Sequence, residues 1–161
     1  MICAFTGHRP QRLPWGSREE DPRCQALKTI LNAAVQQAWE QGCRQFLCGM
    51  ARGCDLYFAE AVLACKRNLP EITLTALLPC PDQTMRWPLA DRQRYEKILR
   101  ECDAVEVLEP AYSAGCMLRR NKAMIDRAQC LISVFDGGPG GTAHTVRYAR
   151  QRGLPIHSIW L

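Results

Sequence analysis

The feature that most constrains this chain is an alternation of strand-like and helix-like segments that runs from one end to the other. Residues 2–5, 44–48, 72–78, 104–108, 130–135 and 155–159 are short and rich in aliphatic or β-branched side chains, as strands require. Between them, residues 24–41, 55–67, 91–101, 117–128 and 142–152 carry apolar side chains at helical spacing. In the first helix, for example, Leu27, Ile30, Leu31, Ala34 and Ala38 share one face, and Gly42 stops it. Alternation of this kind predicts an α/β domain: a three-layer, Rossmann-like fold with a mostly parallel central sheet flanked by helices. No linker or repeat interrupts it, so residues 1–161 are expected to form a single domain. Strand order is left open by a single sequence.

A chain of 161 residues that is 47% hydrophobic can bury a core without disulfides or a structural metal. Its ten cysteines are scattered, with no C-x-x-C pair. They read as small buried hydrophobes in a reducing compartment, and no metal site is expected. No stretch reaches 18 apolar residues, and Met1 leads straight into the first strand without a signal-like segment, so the expectation is a cytoplasmic protein with no membrane partner. The net charge of +5, from 21 basic and 16 acidic residues, suits an acidic small molecule. It is too small an excess to mark a nucleic-acid surface.

Three polar or glycine-rich clusters sit directly after expected strands: Thr6, Gly7, His8 and Arg9; then Gly49 through Arg52, Gly53 and Asp55; then Asp136 through Gly140, Gly141 and Thr142. In a parallel sheet the carboxyl ends of all strands face one way, so loops distant in sequence converge on one crevice. Gly140, Gly141 and Thr142 would open a helix with unobstructed N–H groups at the positive end of its dipole, an environment suited to phosphate. Arg52 offers a fork for phosphate or carboxylate, whereas Asp55 is equally suited to capping a helix. His8 and Arg9 are expected to project over the crevice, and Trp87 either packs or stacks on a base at its rim. The Walker, G-x-G-x-x-G and G-x-S-x-G motifs are all absent, which sets aside standard NTPase, dehydrogenase and hydrolase chemistry.

Taken together, TGHRP, CGMARGCDLYFAEAVL, CMLRRNKAMID and LISVFDGGPGGTAHTVRYA resemble the YpsA-like branch of the SLOG superfamily, whose wider membership includes the DNA-processing protein DprA and the LOG-type cytokinin-activating enzymes. The resemblance covers nearly the whole chain. It implies a site for nucleotides or nucleotide-derived ligands such as AMP, NAD or ADP-ribose, lined by Thr6, Gly7, Gly49, Arg52, Gly53, Arg120, Asn121, Gly140, Gly141 and Thr142. LOG-type enzymes carry a glutamate that assists N-glycosidic cleavage, and here Thr145 occupies that position while Arg120 and Met124 keep the R-x-x-x-M spacing. Threonine is no carboxylate base. The first reading is therefore a non-catalytic ligand-binding or sensing domain that signals to a protein partner or a second copy of itself. An enzyme acting on a nucleotide N-glycosidic bond or phosphate, with His8, Glu60 or Asp136 as acid–base group, is the alternative. DprA-like binding of single-stranded DNA is the third, disfavoured by the lack of a basic stripe with interleaved aromatics.

Overall fold

A computed structural model describes residues 1–161 and contains six strands and five α-helices in strict alternation. The strands are β1 (Ile2–Gly7), β2 (Gln45–Cys48), β3 (Thr73–Leu78), β4 (Ala104–Val107), β5 (Cys130–Phe135) and β6 (Ile156–Trp160). The helices are α1 (Pro22–Glu40), α2 (Cys54–Lys66), α3 (Leu89–Glu101), α4 (Cys116–Arg127) and α5 (Gly141–Gln151). Every strand pairing is parallel, and the order is β4-β3-β2-β1-β5-β6.

Element edges follow local chemistry. Helix α1 starts at Pro22, two residues before the periodicity begins, because Asp21 caps it by accepting from the Arg23 N–H (2.9 Å) and proline suits the first turn. Likewise α3 begins at Leu89, directly after Pro88, rather than at Asp91. One element has no apolar pattern to announce it: a single 3-10 turn at Pro10–Arg12.

The period-two alternation of β1 divides the core. Cys3 and Phe5 face a large apolar cluster with α1, α2 and α3, where Phe5 stacks on Phe58 at 4.3 Å. Ala4 faces the opposite layer, formed with α4 and α5 around Met124, Ile125 and Val146. The chain thus builds outward from β1 through β4, then crosses to the other side of β1 for β5 and β6. The reversal lies between β1 and β5, and in open α/β sheets ligands bind outside the carboxyl ends of the strands at such a point. No helix is long and apolar enough to cross a membrane.

Candidate functional site

At the β1/β5 reversal lies a hollow of about 400 Å³, within the size range of small-molecule sites. Its walls come from four places in the sequence. Thr6, Gly7, His8 and Arg9 leave β1, and Gln11 and Arg12 come from the 3-10 turn. Ala51 and Asp55 come from the β2–α2 region, Met117, Leu118, Arg120 and Asn121 from α4, and Gly141 and Thr142 from the start of α5. Helix α5 has no side-chain cap at Gly140, so its first-turn N–H groups face this space without a protein acceptor from the cap residue.

Arg120 sits at the base of the hollow, 2% exposed. Its Nη1 donates to the carbonyls of Gly49 and Leu77, and its Nε donates to Asn121 Oδ1 at 2.8 Å. Nη2 meets only the Met117 thioether, at 3.9 Å. Burial pushes the guanidinium below its ordinary pKa, opposed chiefly by the field of Asp55. Asp55, buried on the same wall, accepts from the Ala51 N–H at 3.0 Å. Burial raises its carboxyl, while Arg120 and that N–H pull it back down. The two charges sense each other without closing an ion pair. A buried ion left short of partners costs roughly several kcal/mol, so an anion entering the hollow would relieve a standing penalty.

A chain of hydrogen bonds fixes the guanidinium from α5. The Thr145 hydroxyl donates to the Gly141 carbonyl (2.9 Å), Asn121 Nδ2 donates to Thr145 Oγ1 (3.1 Å), and Asn121 Oδ1 accepts from Arg120. Thr145 therefore links the start of α5 to Arg120. Glycine is demanded at two positions behind the wall. A Cβ at Gly49 would lie 2.5 Å from the Arg120 Cζ, and Gly53 has φ +84 with the His8 carbonyl 2.8 Å from where its Cβ would stand.

Not every expected residue reaches the hollow. Gly49 and Gly53 shape it from behind. Arg52 lies on an adjoining hollow, its Nη2 on Asp91 at 2.8 Å. Glu60 lies on the outer side of α2, bound to Arg94, far from a place in this wall. Asp136 and Gly140 belong to a latch behind the rim: Arg12 donates to the Pro139 carbonyl and reaches Asp136 Oδ1 at 3.3 Å. His8, expected to project outward, is only 4% exposed, because its ring packs on Phe135 (5.9 Å) and meets the start of the β5 loop. The Asp136 N–H donates to His8 Nε2 at 3.1 Å, while Asp136 Oδ1 lies 3.0 Å from the same nitrogen. The Gly138 N–H, then His8 and Arg12, hold the Asp136 carboxyl down at about 2.

Gln11, Arg12, Ala51, Met117 and Leu118 were not anticipated on the wall. Gln11 and Arg12 arrive through the unannounced 3-10 turn, and the only cue was Pro10. Groups of His, Cys, Asp or Glu arranged to hold a metal ion do not occur. All ten thiols are free.

Comparison with known proteins matches this architecture. The chain is 27% identical over 137 residues to a UPF0398 protein of Bacillus pumilus, covering 84% of this chain and 73% of that one. It is 29% identical over 129 residues to a UPF0398 protein of Halalkalibacterium halodurans, covering 78% and 68%. Among solved structures, DNA processing protein A of Helicobacter pylori, described for its single-stranded DNA binding mode, superposes with a TM-score of 0.65 at 17% identity. The Streptococcus pneumoniae DprA gives 0.63 at 13%. Each alignment covers 98% of this chain but only 64% and 49% of those chains, so the chain spans less than two thirds of either. At such identities the likeness is one of fold. The family model described as the YspA SLOG family matches residues 3–158, and the chain belongs to that family.

Proposed function

We propose that the hollow at the β1/β5 reversal binds a nucleotide or nucleotide-derived phosphate ester, and that binding rather than turnover is its task. The observation that carries this reading is Arg120: a cation 2% exposed, whose Nη2 faces a thioether at the base of an open hollow. A phosphate oxygen there would accept from Nη2 while another meets the uncapped N–H groups of Gly141 and Thr142. Arg9, exposed at the mouth and in no ion pair, adds attraction. A ligand of this class fits a cytoplasmic sensor that passes its state to a protein partner or to a second copy of the chain.

The test is calorimetric titration with AMP and ADP-ribose, with Arg120→Met as the control. Truncating one partner of a buried charged pair costs about 2–5 kcal/mol, so the variant should bind about 100-fold more weakly or not at all. Equal binding by both proteins would overturn the reading.

An enzyme reading is favoured by one feature, Asp55, a buried carboxyl on the hollow's wall with a raised pKa. The acid–base groups named from the sequence serve it poorly. Glu60 is engaged on Arg94 away from the hollow, and Asp136, held at about 2, is a feeble base. Chromatographic detection of free base after incubation with nucleoside monophosphates, lost in Asp55→Asn, would support it. Single-stranded DNA binding would show instead as affinity that falls steeply with salt.

A further inference from the structure

The nucleotide hollow does not end at Arg9. A second hollow of about 200 Å³ adjoins it, and Arg9, Gln11, Ala51 and Met117 line both. Its remaining wall is Arg52, Gln83, Arg86 and Trp87, from the loops after β2 and β3. Gln83 is 9% exposed, and its Nε2 donates to the carbonyls of Gly49 (3.2 Å) and Met50 (3.4 Å). Those two acceptors fix which end of the amide is which. Its Oε1 is buried with no donor. The Arg52 Nε is likewise buried and unpartnered. Arg86 is exposed and in no ion pair. Trp87 is held edge-on to Tyr95 (5.3 Å, 79°) while lining the hollow.

A lone acceptor, an indole and two arginines are what a flat, neutral, amino-bearing heterocycle on a phosphate linker would use. The linker would pass the shared Arg9, and the amino group would meet Gln83 Oε1. We propose that the second hollow is a base subsite, and that the ligand class is a dinucleoside 5′,5′-diphosphate whose second base is a neutral aminopurine. This rests on the nucleotide reading of the first hollow and narrows it. A cationic ring such as oxidised nicotinamide fits less well, because it would sit beside Arg86, which has no carboxylate partner, whereas Arg52 is paired with Asp91.

Titration of the full chain with AMP, diadenosine 5′,5′-diphosphate and NAD in its oxidised form tests the proposal. Diadenosine diphosphate should bind on the order of 10- to 100-fold more tightly than AMP, as expected for one added stacked base, with oxidised NAD between them. Arg86→Ala, a change at an exposed side chain, should weaken diadenosine diphosphate several-fold and leave AMP unchanged. Trp87→Leu should do the same more strongly, provided its melting temperature matches the parent. Equal affinity for AMP and diadenosine diphosphate, with Arg86→Ala neutral for both, would overturn the base subsite and leave the first hollow's reading standing. Failure of all three ligands to bind would remove both.

Discussion

Two arginines in this molecule are handled in opposite ways. Arg94, on α3, is satisfied by the protein itself: Nη1 reaches Glu19 Oε2 at 2.6 Å, Nε reaches Glu60 Oε1 at 2.9 Å, and the guanidinium lies over the Tyr57 ring at 5.5 Å. Lys28 completes the group by binding Glu19 at 2.7 Å. Burial works against the Arg94 charge, but its bonds to Glu19 and Glu60 outweigh that and raise its pKa. Arg120 is more deeply buried and has no carboxylate in contact, so burial wins and its pKa falls. The first arrangement is finished and belongs to the joint between α1, α2 and α3. The second is unfinished, at the mouth of the topological reversal, and an incoming anion would finish it.

Exchanging each arginine for methionine should break this symmetry most visibly. Arg120→Met is expected to abolish nucleotide binding and to lower the melting temperature as well, because the Gly49 and Leu77 carbonyls and Asn121 Oδ1 lose their donor and buried Asp55 loses its facing charge. Arg94→Met should cost stability alone. Losing charge-assisted bonds to two carboxylates costs about 2 kcal/mol, a fall of about 4–8 °C at this chain length, with binding intact. Paired melting curves and titrations check both.

Acidity separates the regions next. Asp55 has a raised pKa, so the folded state holds its proton more tightly than the unfolded chain does. Its contribution to stability is full below the ordinary aspartate value of 3.8 and is lost as pH rises through the folded value. Asp136, held down at about 2, contributes above 3.8 and loses that contribution as pH falls from 3.8 toward 2. Because protonated Asp55 no longer repels an anion, affinity for ADP-ribose should rise as pH falls toward 3.8, and Asp55→Asn should flatten that dependence. ADP-ribose suits the experiment because it lacks the phosphomonoester that titrates near pH 6. A wild-type profile as flat as the variant's would separate Asp55 from the site.

Smaller effects refine the contrast. Asn121→Ala removes the acceptor that aims Arg120 Nε, and should weaken AMP binding about tenfold, a neutral-to-charged hydrogen bond being worth about 1.5–3 kcal/mol. Glu60→Gln should change binding not at all and stability by about 0.5 kcal/mol, since the Glu60 side chain is 45% exposed.

The fold was legible in the sequence because period and punctuation agreed at almost every element. Apolar faces on α1 and the aliphatic run of β3 had no competing interpretation; the starts of α1 and α3 slipped by two residues where Asp21-Pro22 and Pro88 override hydrophobic spacing, and β1 runs two residues past the expected Phe5 to Gly7. Strand order was illegible, since nothing local in β4 or β5 tells the chain to cross over β1. At the site, Arg120, Asn121 and the start of α5 were recognisable from motif resemblance. The burial of His8 was not, because it depends on Phe135 and Asp136, distant in sequence. Arg12 was missed for a similar reason: a three-residue turn carries no period to read. Gly49 and Gly53 were recognised as required, but their role is to admit the guanidinium and the β1 loop from behind rather than to face the hollow.

The most direct test is a crystal structure of the chain grown with AMP. The phosphate should lie within hydrogen-bonding distance of Arg120 Nη2 and of the N–H groups of Gly141 and Thr142, in the hollow between the ends of β1 and β5. A nucleotide seated elsewhere, or Arg120 closed onto Asp55 with the hollow filled by side chains, would contradict the account.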